Sequence, residues 1–302
     1  MNLIHIPSGD LLLAAAVAAP EHPKAAVVLV HGMAEHKERY FPFMNYLAEL
    51  GFASVITDLR GHGATAASPE DLGYFGKKGH ELLVEDTLNV IRWTKAQYPG
   101  LKLFLFGHSM GSLIVRCFTK KYDSELDGLV VCGSPSKVGV AGLGVSLTRW
   151  IRLFKGDRYR SALLENMSTG GYGKQFAAEG LTNSWLSVNK ANVEAYNNDP
   201  LCGFRFTVNG YRALMQLLLE TYEPEGWTVS KPGLPVHFIA GASDPCIGSI
   251  KKFSEAVSFI RGRGYRLVTS KIYPDMRHEI LNETGREDVW RDVAGILTSW
   301  TE

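Results

Sequence analysis

Short apolar segments alternate with amphipathic ones along the chain, and this alternation restricts the fold more than any other feature of the sequence. The apolar segments are rich in β-branched residues and have no polar face, which is typical of strands covered by helices on both sides. The predicted strands are residues 25–30, 53–58, 102–106, 128–132, 236–240 and 266–273. The predicted helices are residues 41–50, 81–97, 110–121 and 286–300. This order predicts an α/β fold with a mostly parallel central sheet and helices on both faces.

The alternation is interrupted between residues 139 and 222. This segment has apolar residues at helical spacing and no clear strand. We therefore predict one α/β core, formed by residues 1–138 and 223–302, with a helical insertion at residues 139–222. A chain of 302 residues with 45% hydrophobic content is long enough for such a core.

The motif Gly107-His108-Ser109-Met110-Gly111 lies between a predicted strand and a predicted helix. It matches G-x-S-x-G, in which a sharp turn lifts the serine hydroxyl to the carboxyl edge of the sheet. The turn leaves no room for side chains two residues to either side, and glycine occupies both positions. We predict that Ser109 is a nucleophile.

A serine nucleophile needs a base to take its proton and an acid to orient that base, and with this motif both follow the serine in the chain. Asp244 follows the predicted strand 236–240, and His278 follows the strand 266–273. Both therefore reach the same sheet edge as Ser109. We predict His278 as base and Asp244 as acid, with activity that rises with pH near ~6.5 to 7 as the imidazole loses its proton.

Other candidates for these roles are less well placed. Asp275 competes as the acid, but it belongs to the same loop as His278 and would not lie behind the imidazole. His237 lies inside a predicted strand, His62 precedes the nucleophile, and His108 is part of the turn itself. We expect these three histidines to be structural.

The negative charge that develops on a carbonyl oxygen during acyl transfer needs fixed donors. After the strand 25–30, Gly32 lets the chain turn so that the amide of Met33 faces the site, and the amide of Met110 is the second predicted donor. His31 and His36 flank this loop and could suggest a metal, but the sequence shows no third ligand nearby, so we expect structural roles. The loop 58–63, with two glycines, is expected to border the pocket and to be architectural.

Composition argues against several function classes. The formal net charge is +1, so no global field would attract nucleic acid. The 4 cysteines form no C-x-x-C pair, which suggests free thiols in a reducing compartment. The apolar run 11–19 resembles a signal-peptide core, yet no basic residue precedes it, and a strand paired with residues 3–6 explains it better. We therefore expect a cytoplasmic protein.

Several motifs together resemble the monoacylglycerol lipase and lysophospholipase branch of the α/β-hydrolases. They are HGMAEH at 31–36, DLRGHG at 58–63, GHSMG at 107–111, YNNDPL at 196–201 and GASDP at 241–245, followed by His278. The resemblance implies a cofactor-free and metal-free serine hydrolase with a helical cap, acting on acyl esters such as monoacylglycerols or lysophospholipids. This chain departs from it at Ala64-Thr65-Ala66-Ala67, where the family often has a serine.

The apolar residues of the insertion allow two interpretations: they pack onto the core, or they line an acyl channel and touch a membrane or lipid aggregate. These residues are Leu143, Leu147, Trp150, Ile151 and Phe154. Packing is the commoner fate and is the one we expect. Two other functions remain open: an esterase for small esters or an amino-terminal peptidase on the same fold, and a catalytically silent ligand-binding protein.

Overall fold

The computed structural model describes residues 1–139 and 141–302, and within these ranges one eight-stranded sheet forms the centre of the protein. The strands are β1 Asn2–Ser8, β2 Leu11–Ala18, β3 Ala25–Val30, β4 Phe52–Thr57, β5 Leu103–His108, β6 Gly128–Cys132, β7 Val236–Gly241 and β8 Val268–Tyr273. The α-helices are α1 Phe41–Glu49, α2 Gly79–Gln97, α3 Met110–Tyr122, α4 Ala141–Lys155, α5 Ala162–Ser168, α6 Lys190–Asn198, α7 Val208–Tyr222, α8 Ile250–Arg261 and α9 Arg286–Thr301. Among the described residues, no helix combines the length and the apolar character needed to cross a bilayer.

The sheet is mostly parallel, as the sequence predicted. Its spatial order is β1-β2-β4-β3-β5-β6-β7-β8. The pairs β1–β2 and β2–β4 are antiparallel, and all later pairs are parallel. The carboxyl ends of β3, β5, β7 and β8 therefore lie along one edge, where ligands bind in open α/β sheets.

The two faces of the sheet support two apolar clusters. Every residue of β3 is buried, and alternate residues point to opposite faces: Val28 and Val30 join one cluster, Val27 and Leu29 the other. The first cluster includes side chains of α2, α3, α7 and α8, and the second includes those of α1 and α9. Burial on both faces explains why the strands read as continuous apolar runs.

The region between β6 and β7 is helical and contains α4 to α7, with no strand among its described residues. The division into a core and an insertion at residues 139–222 remains a prediction. Small residues let α4 approach α7 closely, since a Cβ on Gly144 would lie 2.5 Å from the sulfur of Met215. The rest of the α4 surface is left without a covering layer among the described residues.

The expectation that the apolar residues of α4 pack onto the core is only partly met. Leu147 and Ile151 are half-buried against the first cluster. The same expectation is wrong for Leu143, Trp150 and Phe154, which are 70%, 63% and 78% exposed. The fully buried face of α4 is made of Ala141, Gly144, Val145 and Thr148. The three exposed side chains therefore point away from the protein.

Candidate active site

The turn between β5 and α3 has the geometry that the G-x-S-x-G motif requires. Ser109 has φ 54° and ψ −119°, an uncommon backbone conformation for a residue with a side chain. Its amide donates to the carbonyl of Cys132 over 3.0 Å. A Cβ on Gly111 would lie 2.2 Å from the carbonyl oxygen of Val30, and one on Gly107 would lie 2.6 Å from the carbonyl oxygen of Gly111. The turn can therefore form only with glycine at both positions.

The predicted base and acid are hydrogen-bonded to each other. Nδ1 of His278 lies 2.9 Å from Oδ2 of Asp244, and both residues are buried. Oδ1 of Asp244 accepts from the amide of Cys246 over 2.8 Å, which fixes the carboxylate. Asp275 lies on the surface with φ 58°, away from this pair. The geometry therefore favours Asp244 over Asp275.

The environment of His278 acts on its pKa in two directions. Burial lowers the pKa, but the charge and hydrogen bond of Asp244 outweigh burial, so the net pKa is raised above its usual 6.5. The predicted rise of activity with pH is thus expected on the alkaline side of 6.5. Among the described residues, no hydrogen bond joins the hydroxyl of Ser109 to His278, and such contacts often tighten only when substrate binds.

One pocket is lined by the predicted nucleophile, the predicted base and the predicted oxyanion residues. Gly32, Met33, Ser109, Met110 and His278 all line it. A Cβ on Gly32 would lie 3.1 Å from the Cβ of Ser109, so the loop after β3 passes close to the nucleophile. Much of the remaining wall is apolar and comes from α3 and from the region between β6 and β7: Leu113, Val138, Phe204, Leu214, Met215 and Leu218.

Comparison with known proteins places the chain in a family. The family model described as serine aminopeptidase, S33 matches residues 21–285. The chain belongs to this family. A monoacylglycerol lipase of Mycolicibacterium smegmatis is 26% identical over 284 residues, covering 92% of this chain and 88% of that protein. Phospholipase YtpA of Bacillus subtilis is 24% identical over 276 residues, covering 90% of this chain and 94% of that protein.

Solved structures support the same assignment. The crystal structure of a highly thermostable carboxyl esterase from Bacillus coagulans, in complex with glycerol, aligns with a TM-score of 0.89 and 27% identity. The alignment covers 100% of this chain and 99% of that chain. The α/β-hydrolase fold, the similarity to the monoacylglycerol lipase branch and the classification as a hydrolase, all expected from the sequence, are confirmed.

In this S33-family hydrolase the loop after β3 is held from behind by the loop 58–63. Lys37 donates its amide to Oδ1 of Asp58 over 2.8 Å and its ammonium to Oδ2 over 2.7 Å. The amide of Ala34 donates to Nε2 of His62 over 3.2 Å. Asp58 and His62 support the loop after β3, which fits the expected architectural role of the loop 58–63. Residues 58–63 do not line the pocket, so their expected place at the pocket wall does not fit.

Four other buried histidines of the hydrolase have lowered pKa values, which favours their neutral form. His31 donates through Nδ1 to the carbonyl of Gly32 over 2.8 Å, and its Nε2 accepts from the amide of Leu59 over 3.0 Å. Burial lowers the pKa of His62, and burial and the neighbouring His278 lower that of His108 to about 3. Burial also lowers the pKa of His237 to about 4, and its Nδ1 lies 2.7 Å from the hydroxyl of Thr269.

His36 has neighbours that the sequence did not reveal. Ligating atoms of His36, Asp199 and Cys202 lie within 4.8 Å of one another, although no third ligand was expected near the loop. Both ring nitrogens of His36 are already paired with carboxylates: Nδ1 with Glu38, and Nε2 with Oδ2 of Asp199 over 2.8 Å. An imidazole so engaged fits a protonated ion pair and leaves no lone pair for a metal.

Three further residues around His278 were not predicted from the sequence. The ring of Trp185 lies 5.1 Å from that of His278, and the ring of Tyr172 lies 5.1 Å from that of Trp185. The sulfur of Cys246 lies within 4.8 Å of ligating atoms of both Asp244 and His278. The position of Cys246 directly after the motif GASDP was the one signal in the sequence that could have marked it. The two aromatic residues lie between β6 and β7, where no motif marks them.

Proposed function

We propose that this hydrolase cleaves monoacylglycerols or lysophospholipids through an acyl-enzyme on Ser109, with His278 and Asp244 completing a catalytic triad. The observation that carries the proposal is the position of Ser109, in a strained turn at the wall of a largely apolar pocket. His278 also lines this pocket, and its Nδ1 is hydrogen-bonded to Asp244. Two relatives, a monoacylglycerol lipase and a phospholipase, agree with this substrate class.

The chemistry follows from the placement of these groups. His278 takes the proton of Ser109 as the hydroxyl attacks the ester carbonyl, and the amides of Met33 and Met110 stabilise the oxyanion. The imidazolium then protonates the leaving alcohol. Water, deprotonated by His278, attacks the acyl-enzyme and releases the free acid, which restores Ser109. Asp244 holds the imidazole in the tautomer that presents Nε2 to the serine.

An amino-terminal peptidase needs a free carboxylate to bind the substrate ammonium group. Three acidic residues line the pocket in the described part of the chain: Glu35, Glu165 and Glu279. Each is paired with an arginine, Glu35 and Glu279 with Arg39, and Glu165 with Arg205. The apolar wall, and the engagement of each carboxylate in an ion pair with an arginine, favour acyl esters over aminoacyl substrates.

Substitution of Ser109 by alanine tests this function. The wild type is expected to hydrolyse a monoacylglycerol well above the rate for an aminoacyl p-nitroanilide and to react with a fluorophosphonate probe. Ser109→Ala should lose at least about 1000-fold in kcat and all labelling. Retained ester turnover in Ser109→Ala would refute the mechanism. Faster cleavage of the anilide would favour the peptidase, and an unlabelled wild type would favour a silent binding protein.

We also propose that α4 makes transient contact with lipid surfaces. Trp150, Leu153 and Phe154 are 63%, 73% and 78% exposed, and Arg149 and Lys155 are exposed on the same helix. An aromatic and basic surface of this kind suits the interface of an anionic membrane.

Co-sedimentation with phosphatidylglycerol vesicles tests this contact. Trp150→Ser with Phe154→Ser should weaken binding about tenfold or more. Leu12→Ser is the matched control, because Leu12 is 61% exposed on the hairpin of β1 and β2. Equal binding of both variants would contradict the proposed contact.

We place the protein in the cytoplasm as part of the same proposal. All four cysteines, Cys117, Cys132, Cys202 and Cys246, are free and buried. Free thiols persist in a reducing compartment. Fractionation of the native cells would test this location.

A further inference from the structure

A buried arginine lies between the loop that carries the proposed oxyanion amide and the loop that carries the proposed base. Nη1 of Arg39 donates to Oε2 of Glu35 over 2.9 Å and to Oε1 of Glu279 over 2.5 Å, and Nη2 donates to Oε2 of Glu279 over 2.6 Å. The three side chains are only 10%, 4% and 4% exposed. One guanidinium thus bridges two buried carboxylates that are far apart in sequence.

The first carboxylate fixes the oxyanion loop. Oε1 of Glu35 accepts from the amide of Gly32 over 2.5 Å and from the hydroxyl of Tyr40 over 3.0 Å. Gly32 immediately precedes Met33, whose amide is the proposed donor to the oxyanion. A displacement of Glu35 would therefore move the peptide on which that donor lies.

The second carboxylate fixes the base loop and joins it to the insertion. Glu279 directly follows His278, and its amide donates to the carbonyl of Leu186 over 2.8 Å. Its Oε2 accepts from the side-chain amide of Asn192 over 2.7 Å, and Asn192 accepts in turn from Nη2 of Arg39 over 3.0 Å. The same charged group therefore contacts the oxyanion loop, the base loop and α6.

We propose that Arg39 is a positioning residue that sets the distance between the oxyanion donor and the base, through Glu35 on one side and Glu279 on the other. This inference rests on the proposed function. Arginine suits the role because its planar fork donates to both carboxylates at once, whereas the single ammonium of lysine on a flexible stem holds neither in a fixed orientation. Loss of the fork should misplace the reacting groups without changing the apolar wall that binds the acyl chain.

The comparison of Arg39→Lys with Arg60→Lys separates positioning from general stability. Arg60 makes a matched buried pair with Asp86, at 2.6 and 2.9 Å, and neither residue lines the pocket. With a soluble short-chain p-nitrophenyl ester, Arg39→Lys should lower kcat at least about tenfold and leave KM within about threefold. Arg60→Lys should keep kcat within about twofold, whatever its effect on the melting temperature.

A pH profile of Glu279→Gln gives a second readout that a purely structural role would not move. The charged and titratable groups around His278 are Asp244 and Cys246 on the loop after β7, Glu279 beside it, Glu35 on the oxyanion loop and His108 on the turn after β5. The carboxylate of Glu279 raises the pKa of His278. Its removal should shift the acid limb of kcat/KM to lower pH, by about 0.5 unit or more.

Two outcomes would overturn the inference: an Arg39→Lys enzyme with the kcat of Arg60→Lys, or a fall in activity of Glu279→Gln with an unchanged acid limb. If Arg39→Lys fails to fold, the profile of Glu279→Gln decides alone. A failure here is distinguishable from a failure of the proposed function, because the latter requires that Ser109→Ala keeps its activity. If Ser109→Ala is inactive while Arg39→Lys keeps a normal kcat, only the proposed role of Arg39 is refuted.

Discussion

The turn at Ser109 shows how one backbone conformation constrains the residues around it. A residue with a side chain at φ 54° and ψ −119° costs on the order of 1–3 kcal/mol, so the surrounding structure must stabilise it. The stabilisation comes from close packing of the turn against β3, since the carbonyl oxygens of Val30 and His31 would lie 2.2 and 2.6 Å from a Cβ on Gly111. A side chain at position 111, including one that could form a hydrogen bond, would not fit between the turn and β3.

The first prediction concerns Gly111. Gly111→Ala should lower the free energy of unfolding by about 2–4 kcal/mol and kcat by about 100-fold or more, because α3 must move away from β3 and carries the amide of Met110 with it. Gly142→Ala is the control: Gly142 lies in α4 with open space around it, and alanine there should stabilise by about 0.5–1 kcal/mol. Denaturant unfolding and ester kinetics measure both. A Gly111→Ala enzyme with normal kcat would contradict this account.

The strength of a sequence prediction for one residue depends on how local its signal is. Ser109 could be predicted because its glycines and its strand–helix context all lie within a few residues. Asp244 and His278 could be predicted because each follows a recognisable strand. Arg39 and Glu279 lie 240 residues apart, and only the fold brings them together. No pattern of spacing or composition encodes such a pair.

At the scale of elements, α6 and the segment that follows it are bonded to the loop after β3. The hydroxyl of Tyr196 donates to the carbonyl of Ala34 over 3.0 Å, and the amide of Gly203 donates to the same carbonyl over 2.9 Å. His36 adds the ion pair with Asp199. Burial lowers the pKa of His36, but hydrogen bonds to Glu38 and Asp199 outweigh burial, so the net pKa is raised above 6.5.

The second prediction is a pH dependence of this contact. Because the folded-state pKa of His36 is raised, its contribution to stability is complete below the unfolded value of about 6.5 and is lost as pH rises through the folded value. Asp199→Asn should therefore lower the melting temperature more at pH 6 than at pH 9. The control is Asp292→Asn, because Asp292 pairs with a lysine, Lys271, and not with a histidine. The same deficit of Asp199→Asn at both pH values would show that His36 does not carry a proton there.

The regular elements were predictable to different degrees. β3 and β6 occur at the residues that the apolar runs indicated, because every position in them is buried and therefore apolar. α8 was not predicted, although its buried residues Phe253, Ala256, Val257 and Ile260 have helical spacing and Ser249 caps it. The outward turn of Leu143, Trp150 and Phe154 was not predictable, since an apolar stripe does not specify which surface covers it.

At the scale of the whole molecule, the helical region between β6 and β7 is not a separate body attached by its ends. Tyr211 and Leu217 of α7 belong to the same apolar cluster as the side chains of α2 and α3. The thiol of Cys117 on α3 lies 3.6 Å from the carbonyl of Leu217 and 3.3 Å from the hydroxyl of Thr221. The predicted boundary at residue 222 stays a prediction, and these contacts show that α7 packs against α2 and α3.

The third prediction follows from this packing. If α7 is part of the core, Leu217→Ala should lower the free energy of global unfolding by about 2–5 kcal/mol, because Leu217 is 0% exposed and its truncation leaves a cavity beside α3. Leu219→Ala is the control on the same helix, since Leu219 is 42% exposed, and should cost less than about 1 kcal/mol.

Hydrogen exchange shows whether the loss is global. In the wild-type protein the amides of α7 and α3 should exchange through opening reactions of similar free energy, because both helices open only when the shared cluster unfolds. Leu217→Ala should therefore accelerate exchange in both helices by the same factor. Faster exchange of α7 together with α5, while α3 stays protected, would show that residues 139–222 unfold as a unit of their own. In that case the predicted boundary at residue 222 would mark the end of a segment that unfolds cooperatively, despite the contacts of α7 with α3.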